Sequence, residues 1–304
     1  MSEMPLWEPS AEILATSPMA LFMKAASRIA GRAFTSYDDL HAWSVEDRAS
    51  FWTAVWDDCG VIGEKGGTAL ENGDRMLEAR FFPEGRLNFA ENLLKKAGPD
   101  DAVVFRGEDK VAYRWSWDEL RARVSKLQQA FAALGIGEGD RVAAMMPNMP
   151  ETIACMLAAT SLGAIWSSCS PDFGEQGVFD RFGQIEPKLF IACDAYWYAG
   201  KLQNVSAKVQ AIAGKLGVPV VVVHYAGDAE ALAASLPDGR TLEALTAPYA
   251  AKPLTFAQLP FRHPLYILFS SGTTGVPKCI VHSAGGTLLQ HLKEHHLHCG
   301  LVEG

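Results

Sequence analysis

The sequence predicts an α/β fold: a parallel sheet with helices on both faces, preceded by a helical region. From residue 102 onward, short apolar runs alternate with longer stretches whose apolar residues recur at helical spacing, the pattern of repeated strand–helix units. Residues 1–85 carry helical spacing and few strand signals. With 304 residues, 49% of them hydrophobic, the chain has material for one large domain or two ordinary ones. We divide it into a helical cap, residues 1–85, and a larger region, residues 86–304.

In the cap, Ser17 and Pro18 form an N-cap and first-turn pair ahead of a helix over residues 19–34. Ser44 with Asp47 gives a capping-box-like start to a further helix. On it Phe51, Trp52, Val55, Trp56 and Cys59 share one face before Gly60 stops it. Such an aromatic stripe is ordinarily core packing, and the sharper alternative is a stacking surface for a cofactor on Trp52 and Trp56. Residues 64–74 are glycine-rich and charged without a period, so a loop is expected to lead into residues 81–94.

In the larger region, strands at 102–105 and 111–115 flank Arg106-Gly107-Glu108-Asp109-Lys110 as a hairpin. Ser116 with Glu119 opens a helix whose apolar face is Leu120, Val124, Leu127, Phe131 and Leu134, closed by Gly135. Strand 142–146, helix 150–162, strand 164–168, helix 176–185, strand 189–193, helix 198–216 and strand 218–224 follow in alternation. Residues 226–240 are small and polar and predict an exposed connection, followed by a short helix at 241–245.

The chain is organised around what comes next. A strand at 265–269 stops at Ser270-Ser271-Gly272-Thr273-Thr274-Gly275-Val276-Pro277-Lys278, and a second strand follows at 279–282. Gly272 and Gly275 let the backbone turn tightly and bring N–H groups to an anion, Ser271, Thr273 and Thr274 add short hydroxyl donors, and Lys278 supplies a full positive charge. A flexible hairpin loop with a surface lysine is the plain alternative, but this fixed order between two strands favours a phosphate-gripping loop. It is not a Walker A loop, which needs G-x-x-x-x-G-K-[ST] with a helix directly after it.

At these residues the sequence resembles the adenylate-forming enzymes, a family that includes acyl-CoA synthetases, luciferases and the adenylation domains of peptide synthetases. Wider segments resemble its acetoacetate-activating branch: Leu6-Trp7-Glu8-Pro9-Ser10, Arg80-Phe81-Phe82-Pro83-Glu84-Gly85-Arg86-Leu87-Asn88-Phe89-Ala90-Glu91-Asn92-Leu93, Ala164-Ile165-Trp166-Ser167-Ser168-Cys169-Ser170-Pro171-Asp172-Phe173-Gly174 and Val281-His282-Ser283-Ala284-Gly285-Gly286. The resemblance runs the length of the chain. It implies flavodoxin-like parallel sheets behind a helical cap, with residues 86–304 as the first part of an AMP-binding domain. It further implies ATP, Mg²⁺ and CoA as cofactors and acetoacetate as the acid, converted through an acyl-adenylate to acetoacetyl-CoA, AMP and pyrophosphate. Ser270, Ser271, Gly272, Thr273, Thr274, Gly275 and Lys278 would then hold the ATP phosphates, with Lys278 and Thr273 acting in catalysis.

Members of the family continue for several hundred residues past this loop, and their adenine pocket, magnesium carboxylate and catalytic C-terminal lysine lie there. The resemblance therefore leads us to expect an N-terminal part that is inactive alone. A nucleotide-binding module without turnover stays open, as does acetate or another short acid as substrate. In related acetyl-CoA synthetases a Gly-Val-Arg-Ala-Gly-Arg segment helps hold the phosphates of CoA. The matching stretch here is Tyr196-Trp197-Tyr198-Ala199-Gly200-Lys201, which makes Lys201 a candidate for CoA and a solvated helix-start lysine the plainer reading.

Composition narrows the partners. A net charge of −8 and a pI near 5.5 argue against nucleic acid or an anionic membrane surface and leave small-molecule substrates. Six scattered cysteines without a C-x-x-C pair, no signal peptide at the start and no apolar run of membrane-spanning length fit a soluble protein of the reduced cytoplasm. His291, His295 and His298 fall at i, i+4 and i+7, but three ligands from one helix rarely close a tetrahedron, so a polar helix face is expected rather than zinc.

Overall fold

The computed structural model describes residues 6–270 and 275–302. The chain divides into two compact units, the first made of Met1–Arg86, Pro260–Arg262 and Gly285–Gly304, the second of Leu87–Leu259 and His263–Ala284.

The first unit is helical: α1 (Ala11–Thr16), α2 (Pro18–Ala30), α3 (Tyr37–Glu46) and α4 (Arg48–Asp58). Each start is set by a short polar side chain that accepts an orphan backbone N–H. Ser17 caps α2 through the N–H of Ala20, and Gly31 ends that helix at φ 66°, short of the expected residue 34. The capping box of α3 is Ser36 with Asp39. Ser44, expected to open a helix, lies inside α3, and Asp47 alone caps α4 by accepting the N–H of Ser50. Phe51, Val55 and Trp56 of the aromatic stripe are buried, with Trp56 packed on Phe82 at 5.0 Å between ring centroids, whereas Trp52 is only half-buried. Residues 64–74 are not wholly loop, since Leu70–Glu71 pairs antiparallel with Arg80–Phe81.

In the second unit a short helix α5 (Phe89–Leu93) is followed by the antiparallel hairpin β1 (Asp101–Gly107) and β2 (Val111–Ser116) and by α6 (Trp117–Ala133), which the Ser116–Glu119 capping box opens as expected. Then come β3 (Arg141–Met145), α7 (Pro150–Ser161), β4 (Ile165–Cys169), α8 (Glu175–Phe182), β5 (Leu189–Cys193), β6 (Ala195–Tyr198), β7 (Lys201–Asn204), α9 (Ser206–Leu216), β8 (Val220–Val223), α10 (Ala229–Ala234), β9 (Gly239–Thr241), α11 (Leu242–Thr246), β10 (Pro264–Phe269) and β11 (Cys279–Ser283).

A seven-stranded sheet runs in the order β9-β8-β5-β3-β4-β10-β11. Its pairs are parallel except β10 with β11. Taken from β4, its first five members stand second, first, third, fourth and fifth in chain order, the flavodoxin-like arrangement, so the expected fold class is borne out. The core centres on this sheet, with every residue of β5 and β8 buried. Asn88, fully buried at the N-cap of α5, ties the helix layer together: its Nδ2 donates to the carbonyls of Thr160 at 3.1 Å and Ala257 at 2.9 Å.

Two stretches of the second unit also depart from the sequence reading. Residues 198–216 are not one helix, because β6 and β7 form an antiparallel ribbon and α9 begins only at Ser206. Consecutive positive φ angles at Ala199 (50°) and Gly200 (72°) make the tight primed turn that a two-residue hairpin needs. Residues 226–240 are not an exposed connection. Asp228 caps α10, which buries Ala229, Leu232 and Ala233, and β9 adds to the sheet beside β8.

Candidate phosphate-binding site

Because β3, β4, β5, β8 and β10 run parallel, their carboxyl ends share one edge of the sheet, where doubly wound proteins bind their ligands. Tyr266 on β10 stands opposite Trp166 on β4. Three residues further along each strand, Phe269 is level with Cys169, so the loop that starts at Ser270 leaves the sheet at its carboxyl edge.

Ser271, Gly272, Thr273 and Thr274 lie outside the described residues. What is described is the neck of the loop. The Ser270 N–H donates to the Lys278 carbonyl at 3.1 Å, and the Lys278 N–H donates to Ser270 Oγ at 3.2 Å. These two bonds close the loop into a ring at its base. Gly275 has φ 136°, a backbone that side chains other than hydrogen strain against. The Lys278 side chain is exposed and forms no ion pair among the described residues, so its charge is open to an anion.

Gln184, just beyond α8, was not singled out by the sequence. Its Nε2 donates to the carbonyl of Pro277 at 2.9 Å, and the Cys279 thiol reaches its Oε1 at 3.9 Å. It holds the lysine-bearing arm of the loop from 93 residues away in sequence, a link that only the sheet topology creates.

The next loop along the edge, after β4, is also knit tightly. Asp172, read from sequence as a turn residue, accepts from Tyr196 Oη at 2.6 Å and from Ser170 Oγ at 2.7 Å. These bonds, Tyr196 first, hold its carboxyl below the usual range. Burial, with help from the Asp172 bond, pushes the Tyr196 phenol up. At the ends of β5 and β8, burial works to raise the Asp194 carboxyl but is outweighed by the backbone N–H groups of Tyr225 and Ala226 and by His224, so its pKa is lowered.

Lys201 does not start a helix. It is the first residue of β7, exposed, directly after the Ala199-Gly200 turn. His291, His295 and His298 do not share one regular α-helix: α12 (Ala284–Leu292) gives way to a π-helical turn over Lys293–His298. Among the described residues no group of three His, Cys, Asp or Glu side chains could hold a metal ion, and no helix is long and apolar enough to cross a membrane.

A doubly wound sheet with a hydroxyl-, glycine- and lysine-bearing loop at its carboxyl edge defines a class of α/β protein built to meet a ligand there. Residues 91–301 match the family model described as AMP-binding enzyme, more than half of the chain, and the chain belongs to that family. Residues 37–93 match a second model, the acetyl-coenzyme A synthetase N-terminus. The chain is 68% identical over 303 residues to an acetoacetyl-coenzyme A synthetase of Rhizobium meliloti (strain 1021), covering 100% of this chain and 47% of that protein. It is 40% identical to an acetoacetyl-CoA synthetase of Macaca fascicularis, covering 96% and 45%. A solved acetoacetyl-CoA synthetase from Streptomyces lividans superposes with a TM-score of 0.92 at 37% identity, covering 99% of this chain and 46% of that one. The chain thus spans about half the length of the curated relatives it matches. The family resemblance read from the sequence is borne out.

Proposed function

We propose that the full-length protein is an ATP-dependent acid–CoA ligase that activates acetoacetate. Carboxylate attack on the α-phosphorus of ATP forms acetoacetyl-adenylate and releases pyrophosphate; the CoA thiolate then attacks the mixed anhydride to give acetoacetyl-CoA and AMP. The observation that carries this reading is the 68% identity along the whole chain to an acetoacetyl-coenzyme A synthetase, joined to an exposed Lys278 at the sheet edge where that chemistry needs a cation.

In this reading residues 86–304 are the first part of the AMP-binding domain and residues 1–85 are an N-terminal helical cap region. Ser270, Ser271, Gly272, Thr273, Thr274, Gly275 and Lys278 hold the phosphates of ATP, with Lys278 and Thr273 stabilising charge on the departing pyrophosphate. Ser270 has a second task, since its hydroxyl accepts the Lys278 N–H and keeps the neck closed. Bound Mg²⁺ supplies further charge neutralisation on the phosphate oxygens. Lys201, exposed at a tight turn, meets a phosphate of CoA as a single cation without the fork geometry of arginine. The partners are small molecules in the cytoplasm, a setting that the acidic charge and the scattered cysteines support. Acetate or another short acid is a second reading, favoured by the match of residues 37–93 to an acetyl-coenzyme A synthetase model.

The test is carboxylate-dependent ATP–pyrophosphate exchange and thioester formation by the full-length protein, with kcat/KM compared for acetoacetate, acetate and butyrate. Acetoacetate is expected to lead, and a clear lead for acetate would replace the substrate while keeping the reaction. Lys278→Ala is expected to slow the exchange roughly ten- to a hundredfold and to affect thioester formation from supplied acyl-adenylate less. Absence of exchange with every acid would sink the ligase reading.

A further inference from the structure

A second cavity, lying wholly within the first compact unit, has a volume of about 230 Å³. Its floor is apolar: Phe22, Leu40, Phe51 and Leu297 are each less than a tenth exposed. Trp52, the half-buried aromatic of the α4 stripe, forms one wall. Around the rim stand Tyr37, His41, Lys293 and His298, and among the described residues no acidic side chain lines the cavity.

Lys293 carries the argument. Its side chain is only 19% exposed, and its ion pair is with Glu294 at 3.9 Å, beyond hydrogen-bond reach. A largely covered ammonium with no acid at hydrogen-bond distance among the described residues is placed to meet a ligand anion. The π-helical turn presents it, since the wider i→i+5 repeat brings Lys293, Leu297 and His298 to the same cavity. Rings shape the rest. Phe51 and Trp52 meet edge to face at 5.2 Å, and Tyr37 contacts both His41 and His298 at 6.3 Å. At roughly 30 Å³ per water, the cavity equals on the order of eight waters, the bulk of one substituted ring and too little for a nucleotide.

We propose that this cavity binds an aromatic monocarboxylate, with the ring against Trp52 and the Phe22–Phe51 floor and the carboxylate at Lys293. The basic rim excludes a cationic ligand, and one ammonium suits a carboxylate better than a phosphate, which calls for several donors. This inference is independent of the ligase reading.

The experiment titrates the full-length protein with phenylacetate, following tryptophan fluorescence and binding heat. Saturable binding is expected, at least tenfold tighter than that of 2-phenylethanol, the neutral analogue of similar shape. Lys293→Gln should weaken phenylacetate at least tenfold, Ser44→Leu should abolish it by narrowing the mouth without altering charge, and Lys278→Ala should change it less than twofold. The proposal is overturned if phenylacetate at on the order of 10 mM gives no saturable signal, if Lys293→Gln and Ser44→Leu both bind like the parent, or if binding disappears with Lys278→Ala, which would put the acid at the phosphate loop instead.

Discussion

Strands β5 and β8 are buried at every residue, whereas β11, in the same sheet and just as apolar at its start, is exposed at Cys279, Ile280 and Val281. The two regions share a residue type and differ in neighbours. A parallel strand has helices over both faces, so a run such as Val220–Val223 is fixed by packing on every side. The antiparallel β10–β11 hairpin needs only its own turn and one neighbour, and it carries the proposed phosphate loop between its strands. The sheet centre is therefore held by packing on both faces, and the loop proposed to grip phosphate hangs on a few bonds at its neck: Ser270 with Lys278, and Gln184 with Pro277.

The largest effect should come from cutting the centre. Phe190 is fully buried on β5 and packs against Phe182 with ring centroids 6.1 Å apart. Phe190→Ala is expected to destabilise by about 3–5 kcal/mol, the transfer cost of the ring plus the cavity it leaves. Ile280→Ala, at a position 45% exposed on β11, should cost less than about 1 kcal/mol. Urea melts of the two variants make the comparison quantitative. Equal losses would mean that the hairpin is as much a part of the folding core as β5.

A polar position should fall between these. Asn88 satisfies two carbonyls from separate segments and accepts the Glu91 N–H as the cap of α5. Asn88→Ala strands those buried carbonyls and uncaps the helix, so a loss of about 2 kcal/mol is expected in the same melts. A loss below about 0.5 kcal/mol would show that water replaces the side chain and that this junction is wetter than its burial implies.

These contrasts explain which parts of the molecule were legible in sequence. Val220–Val223 and Leu189–Cys193 announce themselves because burial on both faces demands unbroken apolar runs, and the Ser116–Glu119 box marks α6 because capping is local. The β6–β7 ribbon overlaps the helix expected over 198–216, and what decides against a helix there is the turn at Ala199-Gly200, where a non-glycine residue takes a positive φ. Helix α10 was missed because alanines that pack closely on a sheet look, in sequence, like a small polar linker. At the candidate site, glycine, hydroxyl and lysine in order mark the proposed phosphate loop, while Gln184 and the Tyr196–Asp172 bond stayed hidden because long-range topology makes them and no local pattern does.

The smallest predicted effect separates the edge from the centre by pH. Asp172 is held below the usual carboxylate range by Tyr196 and Ser170, so the folded state gives up its proton more readily than the unfolded chain does. That stabilisation is fully present above the unfolded pKa, near 3.9, and is lost as pH falls through the lower native value. Tyr196→Phe removes the leading cause. The variant should melt slightly below the parent at about pH 6, and the gap should narrow as pH is lowered through the native value of Asp172. The Phe190→Ala gap, which contains no titrating group, should stay constant over the same range. Parallel pH curves for Tyr196→Phe and its parent would mean that the 2.6 Å bond does not bias Asp172, and that the carboxyl-edge loops are held by packing as the centre is.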